Sequence, residues 1–173
     1  MKSAAVIIIG LFLTSLVQAQ ESAIDDIFNK YSGREGFAVV TISGKMFSLF
    51  TDKDQNKTNS GDLLRSLNSI RILTVEDTLL NRNINFYREL SSKVNLNKYE
   101  ELMSVKEGGN MTRFLIKQNG DIISELLVVA GGPGDNTLIS IRGNLDLKTI
   151  SELSKNTGMD ELKELDGLDS KDD

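Results

Sequence analysis

The chain has 173 residues, with 20 basic against 25 acidic side chains, a net charge of −5 and a pI of about 4.9. It contains no histidine, no cysteine and no tryptophan. That removes the Ser-His-Asp triad, histidine- or thiolate-bound metals, thiol catalysis and disulfides, and an acidic chain without a basic cluster is a poor partner for nucleic acid or an anionic lipid surface.

In "MKSAAVIIIGLFLTSLVQAQES", Lys2 precedes an uncharged apolar run from Ala4 to Val17, and Val17-Gln18-Ala19 supplies small residues where a signal peptidase reads. This is the pattern of a secretory signal peptide, residues 1–19, with the cut between Ala19 and Gln20. The run is shorter than the roughly 20 apolar residues of a spanning helix, and no basic stop-transfer cluster follows. No cysteine stands at the cut, so a lipid anchor is not expected. The expected address is the periplasm or the exterior, with no membrane span left after cleavage. Residues 20–165 are expected to form a single domain, and 166–173 a solvated acidic tail.

Ile24, Ile27, Phe28 and Tyr31 repeat at i, i+3, i+4, i+7, one apolar stripe of a helix from Ser22 to Tyr31. Gly33 and Gly36 end it. "FAVVTIS", Phe37 to Ser43, is β-branched and apolar on both faces, as an interior strand would be. Lys45 to Phe50 is a short helical candidate. After the polar run "TDKDQNKTNSGD", Leu63, Leu64 and Leu67 resume an apolar face, and "SIRILTVED" is a second strand. Helical material between two such strands predicts a right-handed crossover with the strands parallel. Ile84, Tyr87, Leu90 and Val94 share one face of a helix over Asn83 to Val94.

Beyond Leu96 the period becomes two. "YEELMSVKE", "MTRFLIKQ", "DIISELLVVA" and "TLISIRG" are strands joined at Gly108-Gly109-Asn110, Asn119-Gly120 and Gly131-Gly132-Pro133-Gly134. Asn-Gly between alternating runs is a strong hairpin signal. Glu125, Leu127 and Val129 face one way, Leu126 and Val128 the other. Asp146 reads as the N-cap of a final helix carrying Leu147, Ile150 and Leu153, with a further helical turn or two over Asp160 to Leu165. The whole predicts an α+β domain: a mixed, mainly antiparallel sheet of five or six strands, with helices mostly on one face.

The glycine-rich stretch Gly131 to Gly134 invites a phosphate-loop reading. Such loops run from a strand into a helix and end in Gly-Lys-Ser or Gly-Lys-Thr. Here a strand pattern follows, Asp135 stands where a donor is needed, and no basic residue appears before Arg142. A hairpin turn with glycines at positive φ is the expectation. Asp52, Asp54 and Asn56 match the opening of a calcium-binding EF-hand loop, but Lys57 replaces its glycine and Leu63 its closing glutamate, so a solvated loop is expected. The pairs Glu76-Asp77 and Glu100-Glu101 are strand neighbours pointing to opposite faces, unlike a two-carboxylate catalytic device. "GREG", Gly33 to Gly36, has the small residues and guanidinium of an anion nest, although a helix stop and strand start explain it as well. Arg34 and Glu35 are therefore the only binding candidates; no catalytic residue, metal ligand or cofactor is expected.

The stretches "FNKYSGREGFAVVTISGKMFSLF", "SIRILTVED" and "LLVVAGGPGDNTLISIRGNLDLKTISELSK" together resemble a family catalogued as domain of unknown function 4252, secreted proteins chiefly of Bacteroidota. The resemblance spans nearly all of the chain beyond Gln20 and implies a place in the cell envelope. It implies no functional residue, because the family carries no established activity. Some members are lipoproteins; this chain lacks the required cysteine and departs from them there. Members encoded near extracytoplasmic-function sigma factors would suit an envelope regulatory role. The leading expectation is a non-enzymatic envelope module that binds a protein or peptide, for instance by strand addition to its sheet. The alternatives are a carboxylate- or Ser/Lys-based hydrolase and a carrier of a small ligand.

Overall fold

The computed structural model describes residues 15–51 and 64–146. The helical elements are α1 (Ser15–Tyr31), α2 (Gly44–Thr51), α3 (Thr78–Asn81) and α4 (Phe86–Lys93), with a 3-10 turn at Leu96–Lys98. The strands are β1 (Phe37–Ser43), β2 (Leu67–Val75), β3 (Glu100–Glu107), β4 (Asn110–Asn119), β5 (Ile122–Gly131) and β6 (Asn136–Leu145). The calcium-loop resemblance at Asp52 and the helices expected after Asp146 lie outside the described residues.

The strands form one six-stranded sheet in the order β1-β2-β6-β5-β4-β3, and every pair is antiparallel. The fold is α+β, as the sequence implies. The parallel crossover expected between the first two strands is corrected: β1 and β2 are antiparallel neighbours, from Phe37↔Val75 to Ser43↔Ser69. A connection holding a helix of eight residues suits an antiparallel return as well as a crossover. The two central strands, β5 and β6, are buried on both faces, and Leu126 to Ala130 is accordingly a continuous apolar run.

Each face of the sheet carries its own core. On one face, Ile24, Ile27, Phe28 and Tyr31 of α1 and Phe86 and Leu90 of α4 pack against Leu73, Leu115, Leu127, Val129 and Leu138. On the other, Phe47 of α2 joins Ile70, Phe114, Ile116, Leu126, Val128, Ile139 and Ile141. The alternation read at Glu125 to Val129 divides between these faces as expected. At roughly 25 cal/mol per Å² of apolar surface removed from water, each fully buried Leu, Ile or Phe contributes about 1.5–3 kcal/mol.

Local chemistry sets the element ends. Ser32 N–H reaches the Phe28 carbonyl, and Gly33 turns the chain at φ 72°, which stops α1. The helix expected over Asn83 to Val94 starts later, because Asn85 caps it by accepting the Arg88 N–H at 2.8 Å. The hairpins fall where glycine predicts them. Gly108 (φ 56°), Gly109 (φ 86°) and Gly120 (φ 61°) occupy the left-handed region.

Candidate functional site

The turn that stops α1 and starts β1 opens a cleft of about 600 Å³ lined by Lys30, Tyr31, Arg34, Glu35, Phe37, Leu80 and Ile84. Two glycines shape it. Gly36 sits at φ 82°, and a Cβ there would come within 2.6 Å of the Leu80 side chain, so β1 begins hard against α3. The Gly36 carbonyl accepts the Glu76 N–H at 2.9 Å, which joins this turn to the end of β2. Asp77 caps α3 by accepting the N–H groups of Leu79 and Leu80 at 2.9 and 2.8 Å, and so fixes Leu80 on the cleft wall.

The floor is aromatic. Tyr31 and Phe37 lie with ring centroids 4.6 Å apart, and Phe86 meets Tyr31 edge-on at 5.3 Å. The Arg34 guanidinium lies over both Tyr31 and Phe37, at 5.5 and 5.7 Å from the ring centres. It makes no ion pair among the described residues. Lys30 also stands over the Tyr31 ring, at 4.7 Å, but its ammonium donates to Glu89 at 2.7 Å.

Glu89 of α4 is a hub behind this floor. It accepts from Lys30, from the Tyr31 hydroxyl at 2.6 Å and from Lys93 at 3.1 Å. Burial alone would raise the carboxyl's pKa; the bonds from Lys30, Tyr31 and Lys93 outweigh it and hold the group below the usual carboxylate range. The same contacts raise Lys30, chiefly through Glu89, while burial and then the Glu89 bond raise Tyr31. Lys30 is thus already neutralised, and Arg34 is the cleft cation left for a ligand.

The two edges of the sheet differ. Edge strand β3 is guarded: Glu100, Glu101, Lys106 and Glu107 are exposed, and a register shift falls between Glu101 and Met103. Charges and bulges are the devices by which natural edges repel added strands. Edge strand β1 has neither. "FAVVTIS" has no charge and no proline, its pairing to β2 is continuous, and Val40 is 47% exposed. The interior strand expected at Phe37 to Ser43 is therefore an edge, and its apolar outer face calls for another explanation. Phe37 belongs to both features, as the first residue of β1 and a wall of the cleft.

A second polar cluster lies under α1. Glu125 of β5 is 3% exposed and accepts from Ser140 (2.7 Å), the Tyr99 hydroxyl (2.7 Å) and Arg142 Nε (2.9 Å). Arg142 and Arg71 both reach Asp25 of α1, at 3.1 and 2.8 Å, and Arg71 covers the Phe28 ring at 4.2 Å. Burial lowers the Arg142 pKa, but Glu125 and Asp25 more than restore it, leaving it raised. Ser140 is 1% exposed and donates to Glu125, so it is placed as a structural hydroxyl under the helix. The sequence signal for this cluster was an acid and an arginine at inward positions of adjacent strands, Glu125 and Arg142, which pair across β5 and β6.

The other sequence candidates resolve simply. Arg34 and Glu35 share the cleft rim. Ala19 and Gln20 fall within the backbone of α1. Asp77 is a helix cap, Glu100 accepts from Gln118 at 2.8 Å, and Glu101 pairs with Arg113 at 3.1 Å. Gly131 to Gly134 joins β5 to β6, as expected, but the reason is corrected. None of its glycines has positive φ. Gly131 and Gly132 are needed because other backbone passes close by: a Cβ on Gly131 would lie 2.9 Å from the Tyr87 nitrogen, and one on Gly132 2.6 Å from Asn110 Cα. The loop's polar groups are spent internally. Gly134 N–H donates to Asn110 Oδ1 at 3.0 Å, and the Asn136 side chain bridges Gly132, Asn81 and the Phe86 N–H. Among the described residues there is no group of three or more acidic side chains placed to hold a metal ion, and no helix is long and apolar enough to cross a membrane.

An all-antiparallel sheet with helices packed on both faces, and a cleft at the start of its edge strand β1, defines an α+β module. The family model described as Domain of unknown function (DUF4252) matches residues 31–153, and the chain belongs to that family. No curated protein and no solved structure matches it. The matched span begins at Tyr31 and so takes in β1 and every residue of the cleft wall except Lys30.

Proposed function

We propose that this chain is a non-enzymatic envelope module that binds a protein or peptide by accepting an extended segment on the free edge of β1. The observation that carries the reading is the contrast between the edges: β3 bears the charges and bulge that repel strands, and β1 bears none. An added strand would make main-chain hydrogen bonds along β1 and cover Val40. The hydrophobic leader at residues 4–17 supports an address in the envelope. The enclosure of Ser140 and Glu125 beneath α1 favours binding over hydrolysis by those groups.

The test is selection of ligands from displayed random peptides, followed by titration against edge variants. Val40→Lys and Thr41→Lys place charge at exposed positions of β1 and should abolish binding while leaving the melting temperature unchanged. Ser104→Lys, an exposed change on β3, should leave binding intact. Selected peptides that bind Val40→Lys as well as the wild type would defeat the reading.

A further inference from the structure

We propose that the strand accepted by β1 is the C-terminal end of a polypeptide, whose free carboxylate is held by Arg34 and whose last, apolar side chain fills the cleft. This rests on strand addition at β1 and adds the identity of the ligand. Three observations converge. The cleft lies where β1 begins, because Phe37 is both its wall and the first strand residue. Every pair in the sheet is antiparallel, so a strand continuing the pattern beside β1 would run toward Phe37 and end at the turn bearing Arg34. Arg34 is held over two rings and makes no ion pair among the described residues, whereas the neighbouring Lys30 is committed to Glu89.

The ligand's side-chain pattern follows from register. Residues directly opposite in an antiparallel pair point to the same face. The last ligand residue, opposite Phe37, would point to the face of Tyr31, Leu80 and Ile84, which calls for a leucine-, valine- or phenylalanine-like group. The residue three positions earlier, opposite Val40, lies on the other face and would cover that exposed valine. A guanidinium is the group best suited to a planar carboxylate, which it can grip with two parallel hydrogen bonds. Glu35 shares the rim and opposes an anion. That fixes a sign: removing its charge should tighten a carboxylate ligand and loosen a cationic one.

The experiment uses seven-residue peptides, the length of β1, selected from a random library displayed with free C-termini. Each is titrated as the free acid and as the C-terminal amide. The free acid should bind about tenfold or more tightly than the amide, in line with the loss of a charge-assisted pair. Arg34→Gln should weaken the acid to the level of the amide and leave amide binding unchanged, and Arg34→Lys should recover part of the difference. Glu35→Gln should tighten the acid only. Acid and amide binding equally, with both lost in Val40→Lys, would overturn carboxylate recognition and leave strand addition standing. A library yielding no ligand, or ligands insensitive to Val40→Lys, would overturn both.

Discussion

Gly132→Ala should be among the most costly single-methyl additions in this chain, for a reason that backbone torsion does not supply. Gly132 is not at positive φ, so alanine is conformationally allowed there. The added carbon would instead sit 2.6 Å from Asn110 Cα, about 1 Å inside ordinary van der Waals contact. Asn110 opens β4 at its turn with β3, so the conflict is with backbone and cannot be relieved by a rotamer. Overpacking of this kind costs about 1–3 kcal/mol. Moving Asn110 would also break its hydrogen bond from Gly134 N–H, worth about 1 kcal/mol. The sum is about 2–4 kcal/mol, a fall in melting temperature of roughly 5–15 °C at 2–4 °C per kcal/mol. Gly134→Ala is the internal control. Its Cβ would lie 3.1 Å from the Asn110 side-chain nitrogen, a group able to swing aside at the expense of the bond its oxygen accepts from Gly134 N–H, so the loss should stay near 1 kcal/mol, about the value of that bond. Asp135→Ala removes only a bond from the Thr137 hydroxyl and should cost as little. Thermal unfolding read by circular dichroism, with and without ATP or inorganic phosphate, gives the answer. The ranking should be the same in both, because the Gly134 amide is already occupied. A harmless Gly132→Ala beside a damaging Gly134→Ala, or stabilisation of the wild type by phosphate that the glycine variants lose, would refute the close-approach account.

Three further changes probe the scaffold behind the site. Asn136→Ala strands the Phe86 N–H and two carbonyls in a site 1% exposed, and should cost about 2–4 kcal/mol by denaturant titration. Asp25→Ala leaves Arg71 and Arg142 without their shared carboxylate; with Asp25 35% exposed, solvent screening limits the loss to about 1–3 kcal/mol. Because Glu89 is held below the ordinary carboxylate value, its contribution is present in full well above the unfolded carboxyl's value of about 4.3 and is lost as pH falls through the lower value of the folded state. The stability gap between wild type and Glu89→Gln should therefore be flat near neutrality and shrink toward acid, as urea titrations across that range would record.

The second half of the sheet was legible because its turns carry glycine and its strands alternate; Gly108, Gly109 and Gly120 took the torsions their contexts demand. The status of β1 was not. An apolar strand buried on both sides and an apolar strand kept bare for a partner have the same composition, and only the order of strands distinguishes them. The direction of β1 against β2 is hidden for a related reason, since an eight-residue helix does not reveal how the chain returns. Arg34 and Glu35 stood out as charges between glycines. Tyr31, Leu80 and Ile84 did not, because an aromatic at helical spacing reads as core, and α3 brings Leu80 from 44 residues farther along the chain than Gly36, its contact. The Glu125 cluster needed the register of β5 against β6 to become visible.

The central claim is that β1 is the receiving edge, and amide hydrogen exchange measured residue by residue tests it most directly. On adding a selected peptide, the amides of Ala38 to Ser43 that do not already bond to β2 should exchange markedly more slowly, while those of Glu100 to Glu107 at the opposite edge keep their rates. Protection appearing along β3, or binding that leaves every amide of β1 unchanged, would contradict the account.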